Sequence, residues 1–161
     1  MDDWKEEFAK LQSARGISRL KRRINVNLRR DSDFYGKRKR TIDKFFEENP
    51  TPIDIALMLY KALLIVDRLA YHLEENSLLA YRPKASHERI VEKSFLEGVV
   101  HPERTLLLFD GCMDTGAAIR EAADFFMGLG YDRRKIFGYL DYGYLGKNTP
   151  ELMQVEGLLK R

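Results

Sequence analysis

The sequence predicts an α/β protein: a mainly parallel sheet with helices on both faces, in a single domain. Three observations carry this. Short apolar runs alternate with segments of helical spacing from residue 53 to residue 140, and such alternation implies βαβ units with right-handed crossovers. The run Thr105-Leu106-Leu107-Leu108-Phe109 is apolar or β-branched at every position, as a short buried strand should be. The 161 residues, 44% apolar and 33% charged, suit one compact domain able to bury a core. No internal repeat, low-complexity tract or linker divides the chain.

Taken in order, residues 4–12 place Trp4, Phe8 and Leu11 on one side of a short amphipathic helix, which Gly16 breaks. Residues 24–28 alternate apolar and polar, as in a half-exposed strand. Helical spacing returns over 38–49, with Ile42, Phe45 and Phe46 inward, until Pro50 and Pro52 end it. The spacing then predicts strand 53–59, helix 63–75, strand 77–82, helix or coil 88–97, strand 105–109, helix 117–128 and strand 135–140. Ile119, Ala122, Ala123 and Phe126 share one face of the last helix, and Gly128 and Gly130 mark its exit.

Composition narrows the setting. No apolar run approaches the ~20 residues that cross a bilayer, and the first residues are polar and of mixed charge. An intracellular, cytoplasmic protein without membrane attachment is expected. The single Cys112 allows no internal disulfide, which agrees with a reducing compartment. It is read as a small packed hydrophobe, and His72 and His101 as structural. The net charge of +3 hides an asymmetry: residues 15–40 hold eleven Lys and Arg against Asp31 and Asp33. Three readings stand for this segment. It is a solvated face, or a positive rim that attracts an anionic substrate, or a nucleic-acid contact with Phe34 and Tyr35 as stacking groups.

The most informative stretch runs from Thr105 to Glu121. A buried strand ends on Asp110, the small-residue loop Gly111-Cys112-Met113-Asp114-Thr115-Gly116 comes next, and a helix opens at Ala117. The first amides of a helix lack partners and its dipole favours negative charge, so this unit is an anion site. Asp110 falls at the strand's carboxyl end, where open α/β sheets place ligands. A Walker A loop would need Lys-Ser or Lys-Thr where Ala117-Ala118 stand. A dinucleotide fingerprint would need glycine at Met113. A haloacid-dehalogenase-like phosphatase would want an acid at Cys112.

What remains resembles the ribose-phosphate loop of the type I phosphoribosyltransferases, with Gly111 where that family usually has a second acid. Other segments are similar to the orotate branch in matching order over roughly residues 20 to 142. Tyr60-Lys61-Ala62 resembles its Tyr-Lys-Gly turn. Lys84, His87 and Glu88 resemble a shortened mobile loop, and Leu20-Lys21 its entry segment. Leu140-Asp141-Tyr142 stands near a usual Leu-Asp-Arg whose arginine pairs with orotate. A phenol cannot supply that bidentate clamp; Tyr142 either stacks on a base or caps the sheet.

The resemblance implies a type I phosphoribosyltransferase-like domain, with residues 1–50 as a small N-terminal hood segment and 51–145 as core. It implies binding of phosphoribosyl pyrophosphate and transfer of ribose-5-phosphate to a nucleobase such as orotate, a step of pyrimidine nucleotide synthesis, in a homodimer. Asp114, Thr115, Gly116, Ala117 and Ala118 would wrap the 5-phosphate, and Asp110 would hold the ribose hydroxyls and help neutralise an oxocarbenium. Lys61 and Lys84 would balance the pyrophosphate, to which His87 would donate. Tyr60, Ala62, Lys21 and Tyr142 would complete the substrate contacts. Mg²⁺ would arrive on the pyrophosphate, with no direct protein ligand. The rival expectation is a non-catalytic protein of this fold that senses a nucleotide or regulates through nucleic acid.

Overall fold

The computed structural model describes residues 33–59, 61–83, 85–86, 89–90, 95–144 and 147–160. Helix α1 spans Asp33–Glu48, followed by strand β1 at Asp54–Met58 and two 3-10 runs at Lys61–Leu64 and Val66–His72. Strand β2 is Ser77–Arg82, and β3 (Ala85–Ser86) and β4 (Arg89–Ile90) pair antiparallel with each other. Then come β5 (Phe95–Glu97), β6 (Leu106–Asp110), α2 (Ala117–Gly128) and a 3-10 turn at Arg133–Lys135. Strands β7 (Ile136–Leu140) and β8 (Glu151–Gln154) and the short helix α3 (Val155–Leu159) close the chain.

Six strands form one sheet in the order β5-β2-β1-β6-β7-β8. The four central strands are parallel, and β5 and β8 run antiparallel at the two edges. All five residues of β1, and all five of β6, are buried, which is why both read as continuous apolar runs. Alternate side chains feed two separate cores. Ile55, Leu57, Leu107 and Phe109 pack with α1 and the 3-10 runs, while Ala56, Met58, Leu106 and Leu108 pack with α2 and α3. Ile42, Phe45 and Phe46 of α1 and Ile119, Ala122, Ala123 and Phe126 of α2 are all buried, as their spacing predicts. Among the described residues no helix is long and apolar enough to cross a membrane.

The structure departs from the sequence reading at three places. Where an α-helix was expected over 63–75, the chain forms the 3-10 runs, which end at His72, with Ile65 N donating to Ala62 O at 3.2 Å and Arg68 N to Ile65 O at 3.1 Å. Burial of Ala62, Ile65, Val66, Leu69, Ala70 and Leu73 satisfies either periodicity, because both helices bring i and i+3 to one face. Within 88–97, the expected helix or coil gives way to β4 and β5, the latter pairing Leu96 with Tyr81. Three residues are too few to show alternation, so only pairing with β2 defines that strand. Finally, β8 and α3 lie beyond residue 140, where no element was expected; Val155 and Leu158 are fully buried in the α2-side core. The expected helix 4–12, strand 24–28 and most of the basic segment 15–40 lie outside the described residues.

Candidate functional site

Three adjacent parallel strands, β1, β6 and β7, deliver their carboxyl ends to one edge of the sheet. The segments leaving these strands meet there. After β1 comes Lys61, after β6 comes Asp110 and its loop, and after β7 come Asp141 and Tyr142.

Asp110 is the last residue of β6 and is 8% exposed. Its Oδ1 accepts a hydrogen bond from Gly111 N at 2.7 Å. Burial raises its pKa to about 6, against the lowering effects of the Gly111 amide and the nearby Lys61 ammonium. Desolvation wins because one amide and one solvated cation replace only part of the lost water. Burial thus moves this carboxyl toward neutral pH.

Beyond Asp110 the loop extends the pairing of β6 and β7. Asp141 N donates to Asp110 O at 3.0 Å, Tyr142 N to Gly111 O at 2.7 Å, and Met113 N to Gly143 O at 3.0 Å. The chain then turns through Gly116, whose φ of 81° lies in the left-handed region that glycine enters without a Cβ penalty. Gly116 caps α2, and no side chain hydrogen-bonds as its N-cap. Thr115 Oγ1 accepts from Ala117 N at 3.3 Å. Among the described residues nothing accepts from the amides of Asp114, Thr115, Gly116 or Ala118. Asp114, Thr115 and Ala117 are exposed. Amides without acceptors at the start of a twelve-residue helix are donors able to take an anion.

Lys61 opens the first 3-10 run, exposed, with its Nζ 3.6 Å from Cys112 Sγ. It thus reaches the Asp110 loop from the neighbouring strand. Ala62, also expected at the site, is fully buried, and its carbonyl is taken by Ile65 N; its side chain belongs to the core. Tyr142 is 40% exposed beside the loop, with the Arg38 guanidinium 5.3 Å from its ring centroid. Lys21, Tyr60, Lys84 and His87 lie outside the described residues. The structure therefore brings together Lys61, Asp110, the 114–118 loop and Tyr142. Among the described residues no cluster of three or more His, Cys, Asp or Glu is arranged to hold a metal ion.

One constellation escaped the sequence reading. Asp141 is fully buried between Arg38 and Arg68, and Tyr139 donates to its Oδ1 at 2.7 Å. Burial and the adjacent Asp141 charge push the Tyr139 phenol pKa far up, so it remains a donor. The available signal was an acid directly after an apolar strand, the same pattern that drew attention to Asp110.

No protein-family model matches this chain, and no curated protein matches it in sequence. Its fold, however, is similar to solved purine phosphoribosyltransferases. The adenine enzyme of Giardia lamblia, complexed with 9-deazaadenine, matches with a TM-score of 0.51 at 13% identity, over 65% of this chain and 64% of that one. The adenine enzyme of Trypanosoma brucei, in complex with AMP, pyrophosphate and ribose-5-phosphate, gives 0.51 at 13% identity over 68% and 52%. A hypoxanthine enzyme of Staphylococcus aureus gives 0.51 at 8% identity over 76% and 69%. The chain thus spans between about half and about two thirds of the length of these structures. At such identities the likeness is one of fold.

Proposed function

We propose that the protein binds phosphoribosyl pyrophosphate and transfers its ribose-5-phosphate unit to a nucleobase. The observation that carries this reading is the amide-lined turn 114–118 directly beyond the buried Asp110, on a fold shared with phosphoribosyltransferases. The Trypanosoma brucei enzyme was solved with AMP, pyrophosphate and ribose-5-phosphate, the ligands that such a pocket would hold here.

In this reaction the bond from the sugar's anomeric carbon to pyrophosphate breaks, a nitrogen of the base attacks that carbon, and the base nitrogen loses its proton. The protein's work is positioning and charge stabilisation. The amides of 114–118 and the α2 dipole hold the 5-phosphate. Ionised Asp110 accepts from the ribose hydroxyls and stabilises the oxocarbenium-like transition state. Lys61 and Lys84 balance the charge of the departing pyrophosphate, to which His87 donates. Tyr60 and Lys21 complete the substrate contacts. Mg²⁺ bound with the pyrophosphate would supply charge neutralisation.

The base is the most open element. Orotate is what the Tyr60-Lys61-Ala62 turn implies, whereas the structural neighbours are purine enzymes by name. Tyr142 has a π-face and no charge, which supports stacking on a base over pairing with a carboxylate. In this reading the protein works as a cytoplasmic homodimer in nucleotide metabolism, and the basic residues of 15–40 other than the buried Arg38 attract an anionic substrate or a nucleic acid.

The test is thermal stabilisation and pyrophosphate release with phosphoribosyl pyrophosphate, Mg²⁺ and a panel of orotate, adenine, hypoxanthine and guanine. Ligand at 100 times its dissociation constant contributes about 2.7 kcal/mol. Stabilisation with turnover supports the enzyme. Stabilisation with no base turned over supports the non-catalytic sensor, a reading that Gly111 in place of the second acid favours. Absence of stabilisation by any phosphoribosyl compound would sink both.

A further inference from the structure

Within itself the loop after β6 has only two side-chain caps among the described residues, Gly111 N to Asp110 Oδ1 and Ala117 N to Thr115 Oγ1. Its backbone is tied to the turn 141–143: Asp110 O and Gly111 O accept from Asp141 N and Tyr142 N at 3.0 and 2.7 Å, and Met113 N donates to Gly143 O at 3.0 Å. Whatever fixes that turn fixes the loop.

The turn begins with Asp141, whose side chain is fully buried. Arg38 Nε lies 3.3 Å from Oδ2, Arg68 Nε lies 3.3 Å from Oδ1, and Arg68 Nη2 lies 3.4 Å from Oδ2. Tyr139 donates to Oδ1 at 2.7 Å. The two arginines come from different elements, α1 and the second 3-10 run. Each is held in turn. Arg38 Nη2 donates to Asn148 Oδ1 at 3.0 Å, and Arg68 Nη1 donates to Asp67 Oδ1 at 3.1 Å. The Arg68 guanidinium also lies 4.1 Å from the Tyr35 ring centroid on α1. A buried ion pair is a weak source of stability, since desolvation offsets most of its attraction. The hydrogen bonds from Arg68 and Tyr139 are directional, though, and fix one carboxylate geometry, while Arg38 adds an ion pair at Oδ2.

We infer that Asp141 is a positioning residue: clamped by Arg38 and Arg68, it locks the turn 141–143 to α1 and the second 3-10 run, and thereby sets the conformation of the loop 110–116. It touches no ligand, because it has no exposed surface. Arg38 extends the same hold to Tyr142, whose ring it faces. The position of α1 is thus coupled to the anion cradle through a chain of named bonds. The effect on ligand affinity rests on the phosphoribosyl reading; the effect on loop geometry does not.

The experiment compares the full chain with Asp141→Asn and Arg38→Met by amide hydrogen exchange without ligand, and by calorimetric binding of ribose-5-phosphate and phosphoribosyl pyrophosphate below the unfolding range. Asp141→Asn leaves two guanidinium groups sharing no charge and can fail to fold. Arg38→Met keeps the Arg68–Asp141 pair and serves as the second variant. Exchange at Met113 and Tyr142 is expected to rise on the order of tenfold in Arg38→Met, with Leu107 and Leu108 unchanged, as local opening requires. Affinity is expected to fall on the order of tenfold to a hundredfold, the scale of a displacement near 1 Å. Unchanged exchange at Met113 and Tyr142, or a rise shared equally by the strand amides, overturns the inference. If the parent protein binds neither compound, the functional reading fails, and the exchange comparison alone still decides the positioning role.

Discussion

Lys61 lies across Gly111: a methyl group added to Gly111 would sit 3.3 Å from Lys61 Cβ and 3.7 Å from its Cδ. The position where the resembled family carries a second acid is therefore the floor under a lysine stem. The same lysine ends 3.6 Å from Cys112 Sγ and lowers the Asp110 pKa against burial. Glycine at 111 and the lysine stem above it are one arrangement, and its consequences can be measured.

The pH dependence should centre on Asp110. Its folded pKa of about 6 lies above the ordinary 3.8, so the folded state holds its proton longer than the unfolded chain. Its contribution to stability is thus greatest below pH 4 and declines as pH rises to about 6, by about 3 kcal/mol in all. Asp110→Asn should raise the unfolding temperature at pH 7.5 and leave it little changed at pH 4. Turnover should increase through pH 6 in the parent and fall by orders of magnitude in the variant. A variant that loses stability at pH 7.5 would contradict this account of the site.

Replacing Lys61 by Met removes the cation that opposes burial of the Asp110 charge. The Asp110 titration, followed by carboxyl NMR, should then move above 6, and affinity for pyrophosphate should weaken. Little change in overall stability is expected, because the ammonium is exposed. A titration that stays where it was would separate Lys61 from the site.

Gly116→Ala tests the cradle's backbone. Its φ of 81° disfavours any Cβ, and the new methyl would meet Leu159 Cδ2 and Met113 Sδ at 3.3 Å each. The variant should lose about 1 to 2 kcal/mol in denaturant unfolding and more than that in affinity for ribose-5-phosphate. Equal affinity in the two proteins would place the phosphate elsewhere.

At the opposite edge of the sheet, Asp54 is fully buried. It accepts from Tyr131 OH and from His101 N at 2.8 Å, and pairs with the Arg104 guanidinium across 3.5 Å. Asp54→Ala strands those donors and should cost about 3 kcal/mol, read by urea unfolding. Site chemistry should persist wherever the variant remains folded, since Asp54 opens β1 and the candidate site lies past its other end.

How much of this was legible in the residues differs from place to place. Leu106–Asp110 and Ala117–Gly128 are readable because a doubly buried strand and an amphipathic helix leave opposite periodic signatures, and the residues between them must then be the turn. Asp110 stands out as a charge at the end of an apolar run. The network of Asp141, Arg38 and Arg68 was not legible: its members are 30 and 73 positions apart or more, and nothing local distinguishes a buried arginine from the solvated ones beside it in Lys37-Arg38-Lys39-Arg40. The 3-10 character of Val66–His72 was hidden for a related reason, since one-face burial is common to both helix types.

By itself the sequence determined the alternating elements, both strand faces' apolar demand, and the glycine-hinged loop at a helix start, because each depends on neighbours a few residues away. Tertiary structure alone decided which carboxyl ends share an edge, that Lys61 covers Gly111, that Glu151–Gln154 completes the sheet, and that Asp141 is caught between two cations. Those outcomes arise from pairing across the sheet and from desolvation, both of which depend on distance in space rather than along the chain.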